Sequence, residues 1–350
     1  MTNSTIPTHL ADVTYYSNYY DYDYSNEIVL EEKLHIISMV IYSLAFVLGV
    51  TGNGLVIFIT CFRMKKTVNT VWFLNLAIAD FIFTFFLPLS IAYLALGTHW
   101  PFGLPMCKLN SSVTFLNMYA SVYLLMVISI DRCIAVWCPV WAQNHRTPRL
   151  ASFVVLGVWI LSLVFSSPKL YFRQTQETNT SEPVTFCYDN YSSTQEQAQI
   201  IHQGMINFQF TFAFVIPFSV IICSNGAVLL RLRRSRLSRS NKPFKVITAV
   251  IVAFFVCWIP FHIFSFLDTK AFAQIALRWV VHAGAPLTFS LACLNSCLNP
   301  ILYVFMGHDF KEQLRRSLFS AFENAFTEHS NVNTTDTKSS LTHELDSQKL

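Results

Sequence analysis

Charged side chains are scarce in this chain of 350 residues. Asp, Glu, Lys and Arg make up 13% of it, against about 25% in an ordinary soluble domain, whereas hydrophobic residues make up 53%. This composition argues against a soluble enzyme or a soluble binding domain. Long apolar stretches run from about residue 35 to about residue 305 with only short polar breaks. We therefore expect a lipid bilayer to surround most of the chain.

Sequence features of an active site, a metal site or a leader are missing as well. No CxxC pair or Cys/His cluster has the spacing of a metal centre, and no nucleophile or carboxylate pair converges at one membrane depth. We expect neither enzymatic activity nor a cofactor, apart from a possible sodium ion discussed below. The first 34 residues lack a basic start followed by an apolar core, so the first apolar run is the expected insertion signal.

Seven apolar runs are long enough to cross a bilayer as helices, which needs about 20 residues each. They lie at about 35–62, 70–96, 106–137, 150–171, 203–231, 243–268 and 277–305. Several carry an internal proline, which a packed membrane bundle tolerates as a kink; these are Pro88, Pro168, Pro217, Pro260 and Pro300. The sequence predicts an all-α membrane protein, a seven-transmembrane helix bundle without strands.

The chain divides into four regions around this bundle. Residues 1–34 are an acidic, tyrosine-rich tail, 35–305 the bundle, 306–322 a short amphipathic cytoplasmic helix on the membrane surface, and 323–350 a disordered cytoplasmic tail. Basic residues beside the runs cluster in alternate loops. They are Arg63, Lys65, Lys66, Arg146, Arg149, Arg231, Arg233, Arg234, Arg236, Arg239, Lys242 and Lys245. Cytoplasmic loops retain positive charge, so we expect an extracellular N-terminus and a multi-pass protein of the plasma membrane.

The nine cysteines divide by location. Seven lie inside the runs or at their cytoplasmic ends, and only Cys107 and Cys187 lie at the outer face. An oxidising outer face favours pairing over two free thiols. We therefore expect a disulfide that ties the third run to the loop after the fourth.

Three ionisable residues lie at membrane depth, where each is a candidate for function. Asp131 and Arg132 are adjacent near the cytoplasmic end of the third run, and Asp80 lies deeper in the second. Polar residues at similar depth are Asn53, Asn117, Ser121, Asn295, Ser296 and Asn299. This set suits either a bound cation or a hydrogen-bonded packing network without an ion, and the sequence leaves both open.

These residues, taken in order, resemble the rhodopsin-like G-protein-coupled receptors across essentially all seven runs. The matching positions are Gly52-Asn53, LNLAIAD ending at Asp80, Cys107, Asp131-Arg132-Cys133, Trp159, Pro217, Phe254, Cys257-Trp258-Ile259-Pro260 and Asn299-Pro300-Ile301-Leu302-Tyr303. One such motif would be weak, but this many in order are highly specific.

The resemblance implies roles for several residues. Arg132 would be held by Asp131 at rest and freed to meet a heterotrimeric G protein on activation. Asp80, Asn117, Ser121, Asn295 and Asn299 would form a sodium site that favours the resting state. The implied switch positions are Asp131, Arg132, Asn225, Phe254, Trp258, Pro260, Asn299, Pro300 and Tyr303. Among them, Asn225 replaces the tyrosine that usually meets Tyr303 in the active state.

Longer strings, such as KKTVNTVWFLNLAIADF and NSCLNPILYVFMG, resemble the leukocyte chemoattractant receptors. This cluster contains the chemerin, formyl peptide, complement anaphylatoxin and second prostaglandin D2 receptors. The resemblance implies a chemoattractant ligand and inhibitory-class G proteins in chemotaxis or inflammation, with receptor kinases, arrestin and membrane lipid as further partners and no nucleic acid. The acidic, tyrosine-rich tail favours a peptide or small protein, chemerin-like, as that ligand. An acidic lipid mediator such as prostaglandin D2 is the alternative, and a non-signalling decoy or a transporter is less favoured.

The resemblance also places a ligand pocket near the outer ends of the helices. The pocket positions are Lys108, Thr114, Phe115, Met118, Arg173, Gln209, Trp258, His262 and Arg278. Thr114 stands where receptors for amines carry an aspartate, so an amine ligand is not expected. Arg173 could receive a ligand carboxylate, whereas Lys108 and Arg278 could equally be snorkelling at the membrane interface.

The N-terminal tail carries its own candidate sites. YYSNYYDYDY at 15–24 surrounds Asp21 and Asp23 with six tyrosines, which favours docking of a basic protein ligand, although a disordered tail without a partner is also possible. Tyr19, Tyr20, Tyr22 and Tyr24 are candidates for sulfation. Asn3 and Asn179 stand in glycan acceptor motifs.

Overall fold

The computed structural model describes residues 8–178, 183–234, 242–271 and 275–306. Its helices are α1 (Thr8–Phe62), α2 (Val68–Ala95), α3 (Gly103–Trp137), α4 (Pro139–His145), α5 (Pro148–Ser166), α6 (Pro168–Phe172), α7 (Gln195–Phe210), α8 (Ile216–Arg234), α9 (Lys242–Ala271) and α10 (Ile275–Met306). A π-helical turn, Thr211–Val215, joins α7 to α8. Two strands, β1 (Arg173–Glu177) and β2 (Thr185–Asp189), lie between α6 and α7.

The predicted all-α membrane bundle is confirmed. Within the described ranges, six helical segments are long and apolar enough to span a membrane, and α10 is a further long helix that packs against α9 and α1. Helix α1 packs against α2 and α10, and α10 packs against α9. Helix α3 packs against α2, α5 and α8 and is therefore central in the bundle. Large apolar side chains such as Val40, Leu163 and Val256 point outward and are exposed, as expected of surfaces that face lipid.

The expectation of no strands was wrong. β1 and β2 form an antiparallel hairpin in which Thr175 pairs with Cys187. Strand β1 has the sequence RQTQE and is half-buried or exposed along its length. It therefore lacks the alternation of apolar and polar residues that would have predicted a strand. The hairpin is held instead by the predicted disulfide, which the structure confirms: Cys107 of α3 is bonded to Cys187 of β2.

The prolines act in two ways. Pro88, Pro260 and Pro300 lie inside α2, α9 and α10 as expected, together with Pro286. Pro168 does not lie inside a continuous helix, because α5 ends at Ser166 and α6 begins at Pro168. Ser167 itself keeps helical backbone angles (φ −59°, ψ −30°), so the interruption has another local cause: Pro168 has no N–H to donate to the carbonyl four residues earlier.

Several helix starts follow from capping residues. Thr67 precedes α2 and accepts a hydrogen bond from the Thr70 backbone N–H at 3.2 Å, while the Thr70 hydroxyl accepts one from the Thr67 N–H at 2.7 Å. This reciprocal capping box satisfies two free donors at once. Thr147 caps α5 in a similar way through the Leu150 N–H, with Pro148 at the first helical position.

The predicted region boundaries fall partly outside what the structure covers. Helix α1 runs without a break from Thr8, so residues 8–34 of the predicted tail belong to the same helix as the first span. The side chains of Tyr19, Tyr20, Tyr22 and Tyr24 are not among those described, nor are Asn3 and Asn179. The predicted surface helix 306–322 and tail 323–350 lie beyond the described chain, which ends at Met306.

Candidate functional site

A cavity of about 540 Å³ opens at the end of the bundle that carries the Cys107–Cys187 disulfide, here called the disulfide end. Residues from α1, α2, α3, α7, α9 and α10 line it, and Cys187 and Asp189 of the hairpin form part of its wall. The disulfide fixes β2 against α3, and the backbone N–H of Trp100 binds the Thr185 carbonyl at 2.8 Å. The hairpin therefore covers part of the cavity mouth in a fixed position.

One wall of the cavity carries two cations around one carboxylate. Lys169 Nζ lies 2.7 Å from Asp189 Oδ2, and Arg173 Nη1 lies 3.7 Å from the same oxygen. Arg173 also donates through Nε to the Ser111 hydroxyl at 2.7 Å. Burial raises the pKa of the Asp189 carboxyl, but the Lys169 and Arg173 charges outweigh that effect and hold the pKa below its usual value. The Asp189 carboxylate is therefore charged at neutral pH, and it pairs with Lys169 and Arg173 when no ligand is bound.

Lys169 makes a second contact that fixes its position. Its Nζ lies 4.6 Å from the centroid of the Phe115 ring, within cation–π range. Phe115 in turn packs edge-on against Phe261 of α9, with ring centroids 6.4 Å apart. The cation is thus held between a carboxylate and an aromatic face on the cavity wall.

A second polar pair, a histidine and a carboxylate, crosses the cavity from α7 to α9. His202 Nε2 lies 3.4 Å from Asp268 Oδ2, and both residues line the cavity. Asp268 is 47% exposed, so it is the more accessible carboxylate of the two pairs. The cavity therefore presents both signs of charge on different walls.

Four of the predicted pocket residues line this cavity: Thr114, Phe115, Arg173 and Gln209. Gln209 is buried, and its Nε2 has no hydrogen-bond partner within the described residues. A buried donor without a partner costs free energy, so this amide is available to an acceptor on a ligand.

The other predicted pocket residues do not contribute to the cavity wall as described. Met118, Trp258 and His262 are at most 3% exposed and belong to the core packing around the cavity, and Lys108 points elsewhere from its half-buried position on α3. Adjacent positions on a helix differ by about 100° in direction, and the sequence alone could not decide which of them faces inward. The Arg278 side chain is not among those described.

Lys169, Asp189 and Asp268 were not predicted as pocket residues from the sequence. Lys169 and Asp268 lie near the ends of apolar runs, where a charged side chain can reach water at little cost in free energy. A charge at such a position therefore does not by itself indicate function. A signal for Asp189 existed, because it follows Cys187 by two positions, and the disulfide that was predicted brings this segment to the bundle. Only the hairpin register, with Arg173 opposite Asp189, brings the charges together.

The polar cluster predicted around Asp80 exists in the middle of the bundle. Asp80 is fully buried, and Asn299 Nδ2 of α10 donates to its Oδ2 at 2.6 Å. The Asn117 amide fits best with its nitrogen toward Asp80, where it donates to Oδ1 at 3.2 Å and to the Ser121 hydroxyl at 3.2 Å. Asn295 is 2% exposed at the same level of α10. The cluster links α2, α3 and α10.

One group in this cluster is unsatisfied. Asn53 donates to the carbonyls of Gly49 and Ser296, each at 2.9 Å, but its Oδ1 is buried and has no partner within the described part of the chain. Hard cations prefer oxygen ligands. In this arrangement the amide nitrogens of Asn117 and Asn299 meet the two Asp80 oxygens, as in a packing network without an ion, while the Asp80 carboxylate and the unpartnered Asn53 Oδ1 are the oxygens that a sodium ion would use.

At the opposite end of the bundle, here called the Asp131 end, Asp131 pairs in this structure with Arg146 instead of the adjacent Arg132. Arg146 Nε donates to Asp131 Oδ1 at 2.8 Å, and Arg146 Nη2 donates to Oδ2 at 2.8 Å. Between the described residues Asp131 and Arg132 the structure has no ion pair within 4.0 Å. Arg146 follows α4 and reaches back to α3, which the adjacency of Asp131 and Arg132 in sequence gave no reason to expect.

The remaining switch positions lie between these two ends. Phe254 and Trp258 are buried, with ring centroids 6.0 Å apart, and Trp258 packs edge-on against Phe261 of the cavity wall. Asn225 donates to the Ser129 hydroxyl of α3 at 3.3 Å. Tyr303 lies on α10, but its side chain is not among those described. The cavity thus connects to the Asp131 end through packed aromatic and polar side chains.

The bundle of membrane-length helices has a charged cavity at one end, a buried carboxylate cluster in the middle and an ion pair at the other end, which together define a helical membrane protein with a pocket that opens at one end. The sequence profile of the family described as "7 transmembrane receptor (rhodopsin family)" matches residues 52–303. The chain belongs to this family.

Individual relatives narrow the class further. The chain is 46% identical over 313 residues to "Chemerin-like receptor 1" of Rattus norvegicus, covering 85% of this chain and 83% of that protein. It is 42% identical to "C3a anaphylatoxin chemotactic receptor" of Danio rerio, covering 89% and 84%. It is also 42% identical to "Chemerin-like receptor 2" of Homo sapiens, covering 87% of each. The chain is a multi-pass chemoattractant-type G-protein-coupled receptor of the plasma membrane, and the lipid-mediator alternative is not favoured.

Proposed function

We propose that this receptor binds a chemerin-like peptide or small protein from outside the cell and activates inhibitory-class G proteins in chemotaxis or inflammation. The observation that carries the proposal is the 540 Å³ cavity with Arg173, Asp189 and Asp268 in its wall. A peptide end carries charges and amide groups that such a wall can pair. The names of the relatives, which refer to chemerin and to C3a, support a peptide or protein ligand.

The disulfide end is proposed to face outward, with the N-terminus extracellular. Disulfides persist in oxidising compartments, and the exposed Arg63, Lys65, Lys66 and Arg149 lie at the opposite end, where the positive-inside rule places basic residues. Asn3 and Asn179 would then be accessible to glycosylation. Tyr19, Tyr20, Tyr22 and Tyr24, sulfated or not, would form with Asp21 and Asp23 an acidic strip that docks a basic ligand surface.

Inside the cavity, a ligand carboxylate would compete with Asp189 for Arg173 and Lys169. Both cations are already paired by Asp189, so a ligand anion gains only the difference between the two interactions. Gln209 adds an unpaired donor. Recognition therefore depends on geometry as well as on charge, and a free carboxylate alone would bind weakly.

For signalling, we propose a sodium ion held by Asp80, Asn117, Ser121, Asn295 and Asn299 in the resting state. The ion would supply a positive charge that holds α2, α3 and α10 together. Movement of Phe254 and Trp258 under the cavity, about Pro260 in α9, would couple to Asn299, Pro300 and Tyr303 in α10 and free Arg132 for the G protein. Asn225 is held to Ser129, so its contribution to an active-state contact with Tyr303 would require this bond to break. Receptor kinases and arrestin would act on the cytoplasmic tail.

The test measures G-protein activation in cells that express the full chain or a variant lacking residues 1–26. Chemerin-derived peptides, C3a and prostaglandin D2 are the probes, with and without inhibition of the inhibitory G-protein class. We expect a peptide or protein response whose potency falls with the truncation, because long-range attraction to the acidic strip speeds capture. Surface expression of both forms, measured through an epitope tag, is the control.

A matched pair of variants tests the cavity. Gln209→Leu should lower peptide potency roughly tenfold, the value of a hydrogen bond within a desolvated site. Gln203→Leu changes a half-buried glutamine on the same helix that lies outside the cavity lining and contacts Asn207, and it should leave potency unchanged. A response to prostaglandin D2 alone, insensitive to the truncation, would contradict the proposal.

A further inference from the structure

A second cavity, of about 240 Å³, lies at the Asp131 end of the bundle, opposite the cavity at the disulfide end. Residues of α2, α3, α4 and the first turns of α5 line it. Nearly all of them are apolar, among them Trp72, Ile134 and Val154. Apolar side chains beside empty space lose packing contacts, so an apolar occupant would stabilise the bundle.

The cavity opens toward the surface that faces lipid. Trp141, Leu150 and Val154, which line it, are 46%, 45% and 37% exposed. Val140 beside them is 72% exposed. Exposed apolar residues at the end of membrane spans contact acyl chains, so an occupant can enter directly from the bilayer.

Among the described residues, the cavity wall carries one cation, Arg146, and one carboxylate, Asp131. Its guanidinium pairs with Asp131 and also donates to Asn69 Oδ1 at 2.6 Å, yet the side chain remains 30% exposed. The basic Arg149 lies three positions further along and is exposed. An anionic group at the rim therefore meets positive charge at the depth where lipid headgroups lie.

A third feature is a buried donor in the apolar wall. Trp72 is 4% exposed, and its indole Nε1–H has no hydrogen-bond partner within the residues that the structure covers. Buried donors normally find a partner. An occupant with an ester carbonyl beside its apolar chain would supply an acceptor that aliphatic side chains cannot.

We propose that this cavity binds an anionic phospholipid, with an acyl chain between α2, α3 and α5 and the headgroup at Arg146. A neutral sterol would fill the apolar part and could accept one hydrogen bond from Arg146 through its hydroxyl, but it brings no negative charge to compete with Asp131. A water-soluble anion would use Arg146 but leave the apolar wall uncovered. A phospholipid of the surrounding leaflet matches the apolar wall, the cation and the opening toward the bilayer together.

Binding would change the ion pair at this end of the bundle. The headgroup competes with Asp131 for Arg146, and Arg132 is the neighbouring cation that interacts electrostatically with both. A bound headgroup therefore releases the Asp131 carboxylate toward Arg132. The lipid site and the charged pair of α3 are linked through a single guanidinium.

The experiment uses the purified full chain in nanodiscs of phosphatidylcholine that contain a trace of phosphatidylserine with a photoreactive acyl chain. The matched probe is phosphatidylcholine with the same acyl chain. After illumination, peptide mass spectrometry locates the label. We expect label on the α3 and α5 segments that line the cavity, with the serine probe favoured over the choline probe about tenfold, the scale of a charge-assisted hydrogen bond.

Variants separate the headgroup from the chain. Arg146→Gln should abolish the preference for the serine probe, whereas Arg63→Gln, an exposed arginine outside the lining and away from its rim, should retain it. Ala151→Phe, which fills the cavity from a lining position that is 2% exposed, should suppress labelling by both probes. If thermal denaturation shows that Arg146→Gln does not fold, labelling of Ala151→Phe still tests whether the lipid lies in the cavity.

Three outcomes would overturn the proposal. Equal labelling of the lining by both probes would show a site for acyl chains of any lipid. Loss of the preference on addition of millimolar inorganic phosphate would show a site for a free anion. Unchanged labelling in Ala151→Phe would place the lipid outside the cavity.

Discussion

Arg146 donates two hydrogen bonds of 2.8 Å to the Asp131 carboxylate, one to each oxygen. Bidentate arginine–carboxylate pairs are among the stronger polar contacts in proteins. The pair joins the segment after α4 to α3, and it occupies the carboxylate that would otherwise hold Arg132. The position of this segment therefore controls which arginine Asp131 meets.

Replacing Arg146 by glutamine should reduce basal and agonist-stimulated nucleotide exchange on the G protein. Without its partner, Asp131 can pair with Arg132 and hold it away from the G protein. Because Arg146 is partly exposed, we expect the exchange rate to fall roughly fivefold, which corresponds to a coupling free energy of about 1 kcal/mol. Reconstituted receptor and G protein give the rates, with Arg149→Gln as the matched loss of charge. Increased exchange in Arg146→Gln would contradict this account.

Asp80→Asn should abolish the effect of sodium on agonist binding. The substitution keeps the size of the side chain and its bond with Asn299, but it removes the charge that a cation needs. Agonist affinity of the wild type should fall when choline chloride is replaced by sodium chloride at equal ionic strength, and the affinity of the variant should not. A sodium response that survives in the variant would remove Asp80 from the site.

Lys169→Met should destabilise the receptor more than the double change Lys169→Met with Asp189→Asn. The single change leaves a mostly buried carboxylate with its nearest cation gone, and such a loss costs about 3–5 kcal/mol. The double variant removes the unpaired charge as well. Thermal denaturation of detergent-purified protein measures both, and strictly additive effects would show that the contact contributes nothing.

The pH dependence of the Asp189 contribution follows from its pKa, which lies below the usual value. A carboxyl with a depressed pKa stabilises the fold above its unfolded pKa of about 3.9 and loses that contribution as the pH falls through the folded value. The difference in Tm between wild type and Asp189→Asn should therefore be constant from pH 5 to pH 8. It should shrink only below about pH 4. A difference that varies near neutrality would contradict the charged state assigned here.

Gly49→Ala should destabilise the bundle where α1 meets α2. A Cβ at Gly49 would overlap the side chain of Thr84, which is fully buried and held by a hydrogen bond of 2.8 Å to the Asp80 carbonyl. Overpacking of this kind costs about 1–3 kcal/mol. Gly157→Ala is the control, because a Cβ there has open space, and it should raise Tm slightly or leave it unchanged. Equal Tm values for both variants would show that Thr84 can move.

Hydrophobicity and the limited number of ways to satisfy a backbone in lipid made much of this fold predictable. The apolar runs predicted the spans, because a helix is the simplest structure that pairs its own backbone groups in a membrane. The location of Cys107 and Cys187 predicted their bond, and the depth of Asp80 predicted a buried polar cluster. Each of these inferences depends on local composition or on position along a span.

Contacts between distant segments required the tertiary structure. The rotation of α3 and α9 decides that Thr114 and Phe115 face the cavity while Met118 and His262 pack behind it, and a small rotation of a helix would exchange them. The hairpin register brings Asp189 to Lys169 and Arg173, and the turn after α4 brings Arg146 to Asp131. The sequence by itself determined which segments enter the membrane, because transfer free energy is additive along the chain. Packing alone decided which charges meet, because an ion pair depends on ångström distances between residues far apart in sequence.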